Sequence, residues 1–179
     1  MTLLSRVRHG IASNLSSLRK AWRRSSYTRR VLRRAAECGP GLRVNAPSTV
    51  TPTTRLGSNV HMNGLEIGGG GTVRIGNNFH SGPGVLLVTQ NHDYDGGDAL
   101  PYGDRYILKD ITIGDNVWLG TRVIILGGVT IGDGAIVQAG SVVVSDVERC
   151  AIVGGHPARQ FATRDIEHYE RLVAEGKYH

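Results

Sequence analysis

Along residues 113–148, IGDNVWLGTRVIILGGVTIGDGAIVQAGSVVVSDVE, an aliphatic residue returns at every sixth position: Ile113, Leu119, Ile125, Ile131, Val137 and Val143. Four places after each stands another small or branched residue, at Val117, Val123, Val129, Ala135, Ser141 and Val147. A helix cannot hold a six-residue step on one face, and plain strand alternation does not single out every third inward position. The step is already present at Val44, Val50, Leu56 and Met62, slips by one residue at the GGGG run of residues 68–71, and resumes at Ile75, Ser81 and Leu87. Residues 89–110 interrupt it. Repeats of this kind predict a mainly β fold, a parallel β-helix in which each hexad is one short strand and a bend, and three hexads close a triangular coil. About five such coils fit residues 44–148. Gly114, Gly120 and Gly132, with the Asp residues beside two of them, supply the permissive backbone of the bends.

The two ends follow a helical period instead. Leu3, Leu4, Val7, Ile11, Leu15, Leu18 and Trp22 recur at three- and four-residue steps, and Tyr27, Val31, Leu32 and Ala35 continue toward the stop at CGPG, residues 38–41. At the other end Ile166, Tyr169, Leu172 and Val173 predict a helix with Thr163 as its N-cap, lying over the last coil and blocking its open edge. The chain therefore divides into a basic amphipathic helical segment (1–41), a β-helix (42–160) with the loop 89–110, and a C-terminal helix and tail (161–179).

Charge sharpens this division. Residues 1–40 hold ten Arg or Lys against one acid, Glu37, whereas the rest of the chain holds eleven against fourteen. The net charge of +6 thus belongs to the first segment. Such a helix suits an anionic membrane surface, and equally a seat on its own body or a neighbouring subunit. Nucleic acid is the poorer partner, since no recognition motif accompanies the arginines. No apolar run of membrane-spanning length and no signal-peptide core is present, so the expected location is cytoplasmic, with peripheral contact at the inner face of the cell membrane. Cys38 and Cys150 are too few and too far apart for a disulfide framework or a thiolate metal site.

The hexads, the loop TQNHDYDGGDALPYGDRYILKD at 89–110 and the segment IVGGHPARQF at 152–161 together resemble the hexapeptide-repeat acyltransferases, in the branch of sugar, polysaccharide and xenobiotic O-acetyltransferases. The resemblance implies a left-handed coil and a homotrimer with sites between subunits. It also implies acetyl-CoA as co-substrate without a metal, and a sugar hydroxyl as acceptor in surface polysaccharide biosynthesis. His156 departs from the asparagine usual at its position. Acyl transfer to a hydroxyl needs a proton acceptor, donors for the developing oxyanion and aligned reactants. His92 falls on the family's catalytic base, and an imidazole titrates near working pH. The acceptor side is expected at Asn63, Asp93 and Tyr94, with Tyr102, Tyr106, Asp95, Asp98 and Asp104 adding aromatic faces and hydroxyl acceptors. The acetyl-CoA side is expected at Trp118, Gly120, Thr121, Ala139, Gly140 and Ser145, with Arg159 on its phosphates. Thr121 is also a candidate oxyanion donor.

Antibiotic or amino-sugar N-acetylation is the alternative within this chemistry. A γ-class carbonic anhydrase would need three converging histidines, of which only His61 and His80 share a phase. A non-catalytic scaffold is the remaining class. GGGG lacks the Lys and following helix of a phosphate loop.

Overall fold

The computed structural model describes the backbone of residues 3–179 and the side chains from residue 19 onward. The hexads form a three-faced parallel solenoid. Its first face carries Glu37–Cys38, Thr54–Leu56, Val73–Ile75, Ile111–Ile113 and Thr130–Ile131, and Val147 adds a sixth rung through a parallel bridge to Ile131. The second carries Arg43–Ala46, His61–Asn63, His80–Ser81, Trp118–Leu119, Ile136–Val137 and Ala151–Gly155. The third carries Leu65–Gly68, Val85–Val88, Ile124–Leu126 and Val142–Val143. The solenoid thus begins at Glu37, ahead of residue 42, because Glu37 and Cys38 already pair with Arg55 and Leu56. That adds a rung to the five coils expected.

The six-residue residues point inward and stack rung on rung. On the second face Val44 pairs with Met62, Ser81 with Leu119, and Val137 with Val153, and all six are buried. The offset at GGGG is real: Leu56 pairs with Ile75, one residue later than the eighteen-residue step that pairs Ile113 with Ile131.

The corner between the first and second faces explains the recurring Asn. Asn59, Asn78 and Asn116 all have positive φ, a conformation asparagine tolerates better than most residues. Their amides form a ladder: Asn59 donates to Asn78 at 3.0 Å, Asn78 to Asn116 at 2.9 Å, and Asn116 to the Tyr169 hydroxyl at 3.0 Å. Beside it Asn77, Asp115 and Asp133 each accept the backbone N–H of the rung below.

Helix α1 spans Leu3–Arg34. The apolar stripe from Leu3 to Leu18 lies outside the described side chains. Arg19–Ser25 are all exposed, Trp22 included at 67%. The end of α1 is fastened: Val31 enters the core, Tyr27 and Ala35 pack against it, and the Val44 N–H donates to the Thr28 hydroxyl at 3.1 Å. These turns close the first edge of the prism, and the basic Arg33 and Arg34 suit the negative end of the helix dipole.

Helix α2, Ile166–Ala174, differs from expectation in two ways. Its N-cap is Asp165, which accepts the His168 N–H at 2.9 Å, rather than Thr163. Thr163 instead ends the strand Ala158–Thr163, which pairs antiparallel with Ala151–Gly155 and itself covers the last edge. The helix is thereby free to lie on the flank, where Tyr169 terminates the asparagine ladder and packs against Gly134.

Candidate active site

Residues 89–110 leave the corner between the third and first faces as a β-hairpin arm. Gln90–His92 pairs antiparallel with Tyr106–Leu108, with His92 opposite Tyr106. The root of the arm rests on the four glycines. The Thr89 hydroxyl donates to the Gly68 carbonyl at 2.9 Å and accepts the Gly71 N–H at 3.1 Å. A Cβ on Gly69 would meet that hydroxyl at 2.5 Å, and one on Gly71 would meet the carbonyls of Thr89 and Lys109 at 2.8 Å. GGGG is therefore a saddle for close backbone contact.

The arm holds His92 between two aromatic rings. Tyr102 stacks on it at 3.6 Å between centroids and 18° between planes, and Tyr106 lies at 4.4 Å and 39°. Its Nδ1 is buried with no hydrogen-bond partner among the described residues. Asp93 does not orient it. The Asp93 carboxylate is turned into the arm, where it accepts the Gly96 N–H at 2.8 Å and pairs with Arg105 at 3.2 Å. Tyr94 is 64% exposed beside them.

The other site residues gather elsewhere. Trp118 stands outward on the second face, 53% exposed. Gly120, Thr121, Ala139 and Gly140 form the corner between the second and third faces, joined by a 2.8 Å hydrogen bond from the Gly140 N–H to the Thr121 carbonyl. Gly120 is needed by the fold itself, since a Cβ there would meet the Ala139 nitrogen at 2.5 Å. At Gly140, whose φ is +73°, a Cβ would meet nothing within 4 Å. Asn63 lies lower on this corner with its amide engaged on both sides, accepting from Asn45 at 3.0 Å and donating to the Ser81 carbonyl at 2.6 Å. Ser145 follows the last strand of the third face, and Arg159 sits on the closing antiparallel strand. One copy of the chain thus carries the imidazole on one corner and this run of small residues on another. The backbone at this corner is exposed at Thr121, Ala139 and Gly140, beside the outward Trp118.

A second cluster was only half legible. His61 and His80 do meet, with centroids 4.3 Å apart, as their shared phase predicts. His179 joins them at 6.3 and 5.4 Å, brought there by the turn after α2. Among the described residues no group of three or more His, Cys, Asp or Glu is arranged to hold a metal ion. A cavity of about 370 Å³ adjoins the cluster, lined by His80, Trp118, Tyr169, Leu172 and Tyr178 among others.

His61 is only 6% exposed and its Nε2 has no partner among the described residues. Burial, then the charges of His80, Arg43 and His179, push its pKa from 6.5 down to about 4. Burial lowers His80 as well, although a hydrogen bond with the His179 backbone opposes this. The unfolded chain therefore takes up these protons at a higher pH than the folded one. Their contribution to stability is complete above about 6.5 and is lost as pH falls toward about 4. Thermal melts across that window should show a steeper decline for the wild type than for His61→Gln. Parallel declines would mean that His61 is not held neutral by the fold.

The model of the bacterial transferase hexapeptide (six repeats) family matches residues 110–145. Galactoside O-acetyltransferase of Escherichia coli strain K12 is 36% identical over 123 residues, covering 63% of this chain and 60% of that protein. A solved galactoside acetyltransferase in complex with coenzyme A has a TM-score of 0.64 at 30% identity, covering 75% of this chain and 68% of that one. A hexapeptide-repeat-containing acetyltransferase from Vibrio cholerae, also solved with acetyl coenzyme A, has a TM-score of 0.57 at 34% identity, covering 72% of this chain and 70% of that one. The chain spans about half the length of the curated relatives it matches, from 35% to 60% among the first four. With its coiled hexads, its interrupting arm and these relatives, the chain belongs to the hexapeptide-repeat transferase family.

Proposed function

We propose that the chain is an acetyl-CoA-dependent O-acetyltransferase acting on a sugar hydroxyl, in the making of a surface polysaccharide. The observation that carries this is His92, an imidazole clamped between Tyr102 and Tyr106 on an arm that projects from a rigid prism. Clamping fixes the ring plane without consuming its nitrogens. With Nδ1 buried, Nε2 is the nitrogen left to take the acceptor's proton as the hydroxyl attacks. Acetyl-CoA supplies an acyl group activated as a thioester. Trp118, Gly120, Thr121, Ala139, Gly140 and Ser145 would hold it, with Arg159 on its phosphates, and the Thr121 hydroxyl would donate to the acyl oxygen. Tyr94 serves the acceptor. Asn63 and Asp93, whose polar groups are engaged within the fold, shape the acceptor side by positioning the small-residue corner and the arm.

The active form is a homotrimer. Two features support it: His92 and the small-residue corner at Gly120 and Gly140 stand apart on one copy, and the arm leaves Ile107 and Leu108 exposed. Packing side by side would bring the arm of one copy against that corner of the next and cover those side chains. The outward basic stretch of α1 suits anionic lipid at the inner face of the cell membrane. Among the described residues no helix is long and apolar enough to cross a membrane.

The test is release of free thiol from acetyl-CoA over a panel of acceptors. Turnover with a sugar hydroxyl in a polysaccharide precursor is expected. Turnover with chloramphenicol or an amino sugar alone, or with none of the panel, would refute the assignment.

A further inference from the structure

Tyr102 and Tyr106 reach the His92 ring by different routes. Tyr106 is its hairpin partner, set opposite it by the register of the ladder. Tyr102 arrives because the tip of the arm folds back on its base. The Asp93 N–H extends the ladder by donating to the Arg105 carbonyl at 2.9 Å. Beyond it the backbone closes up at two glycines: a Cβ on Gly97 would meet the Asp93 carbonyl at 2.8 Å and the Gly103 nitrogen at 2.9 Å. That approach sets Tyr102 over the imidazole, 3.6 Å between centroids and 18° between planes.

A base that takes a proton becomes a cation, and an imidazolium is ordinarily stabilised by a carboxylate. Among the described residues the ion pairs are Arg55–Glu37, Arg105–Asp93, Arg149–Glu170 and Lys177–Glu175, and His92 is in none of them. Asp93, the acid next in sequence, is turned to the Gly96 N–H and balanced by Arg105. Asp95, Asp98 and Asp104, the other acids of the arm, are exposed. What the ring meets at close range is two π faces, both well inside the distance of about 6 Å at which an aromatic quadrupole attracts a cation.

We propose that Tyr102 and Tyr106 are positioning residues that stabilise the protonated form of His92, in the role a carboxylate would otherwise fill. This rests on the reading of His92 as the base. As the acceptor oxygen bonds to the acyl carbon and the carbon–sulfur bond breaks, the hydroxyl proton passes to Nε2 and from there to the departing thiolate. The ring is cationic between those two transfers, so a face that favours the cation favours the step.

The test replaces Tyr102 in the full chain with phenylalanine and with its 4-fluoro, 3,5-difluoro and 3,4,5-trifluoro forms, which keep the shape of the ring and progressively weaken its π face. Protonation of His92 is read by NMR from its ring Cε1–H, a signal identified by its loss in His92→Gln, and needs neither acetyl-CoA nor acceptor. Tyr102→Phe should hold the proton within about twofold of the wild type, and the trifluoro ring about three- to tenfold less tightly, with the other two in between. The kcat for acetyl transfer should fall in the same order, while the melting temperature stays constant because the ladder and the Asp93 bonds remain. Equal proton affinity across the series would overturn the proposal. So would a tenfold loss in Tyr102→Phe, which would assign the effect to the hydroxyl. A graded proton affinity in a chain that turns over no acceptor would support the π-face stabilisation and refute the acetyltransferase reading, so the two failures are distinct.

Discussion

Replacing His92 with alanine is expected to leave a folded protein whose acetyl transfer falls by about 10²–10⁴-fold, the usual contribution of a positioned base. The ring lies on the arm, outside the stacked columns, so its removal takes no side chain from the core. Tyr102 and Tyr106 lose a stacking partner, yet the arm keeps its ladder and the Asp93 bonds to Gly96 and Arg105. The loss should therefore appear in kcat, with the KM for acetyl-CoA and the melting temperature close to the wild type. His92→Gln, which retains a hydrogen-bonding group but cannot accept a proton in the working range, should be nearly as inactive. A variant that keeps more than about a tenth of the activity would mean that another group takes the proton.

Leu119→Ala is expected to destabilise the fold by about 2–5 kcal/mol, the range for emptying a buried leucine site. Leu119 is fully buried between Ser81 on the rung below and Val137 above. Ser81 is small, so Leu119 fills space for two rungs, and the ladders on all three faces keep the walls from closing in. Trp118 and Gly120 flank it on the same rung, so the outward side chain and the corner beside it should loosen with the core. Denaturant midpoints measure the effect. A change below about 1 kcal/mol would show that the coil collapses around the gap.

The inner columns were readable in the chain because a solenoid repeats one local rule, and the residues at six-residue steps do stack in register. The loop 89–110 was readable as an interruption and His92 as its candidate base. The two-tyrosine clamp was not, since it follows from the hairpin register that sets Tyr106 opposite His92. Asp93 was expected to meet the acceptor, but its carboxylate closes the turn of its own arm. Thr163 failed as an N-cap because backbone pairing at the last edge claimed it first. His179 could not be placed from the helical period, which ends before it.

In the proposed trimer an imidazole from one copy serves a thioester lying along the Gly120 and Gly140 corner of another. A structure of the chain with coenzyme A bound tests it most directly. The predicted result is a trimer in which the pantetheine runs past Gly120 and Gly140 and its sulfur comes within about one reacting-atom contact, 3–4 Å or so, of a neighbouring copy's His92 or of the acceptor between them. Coenzyme A seated on a single copy, with His92 open to solvent and far from the sulfur, would contradict it.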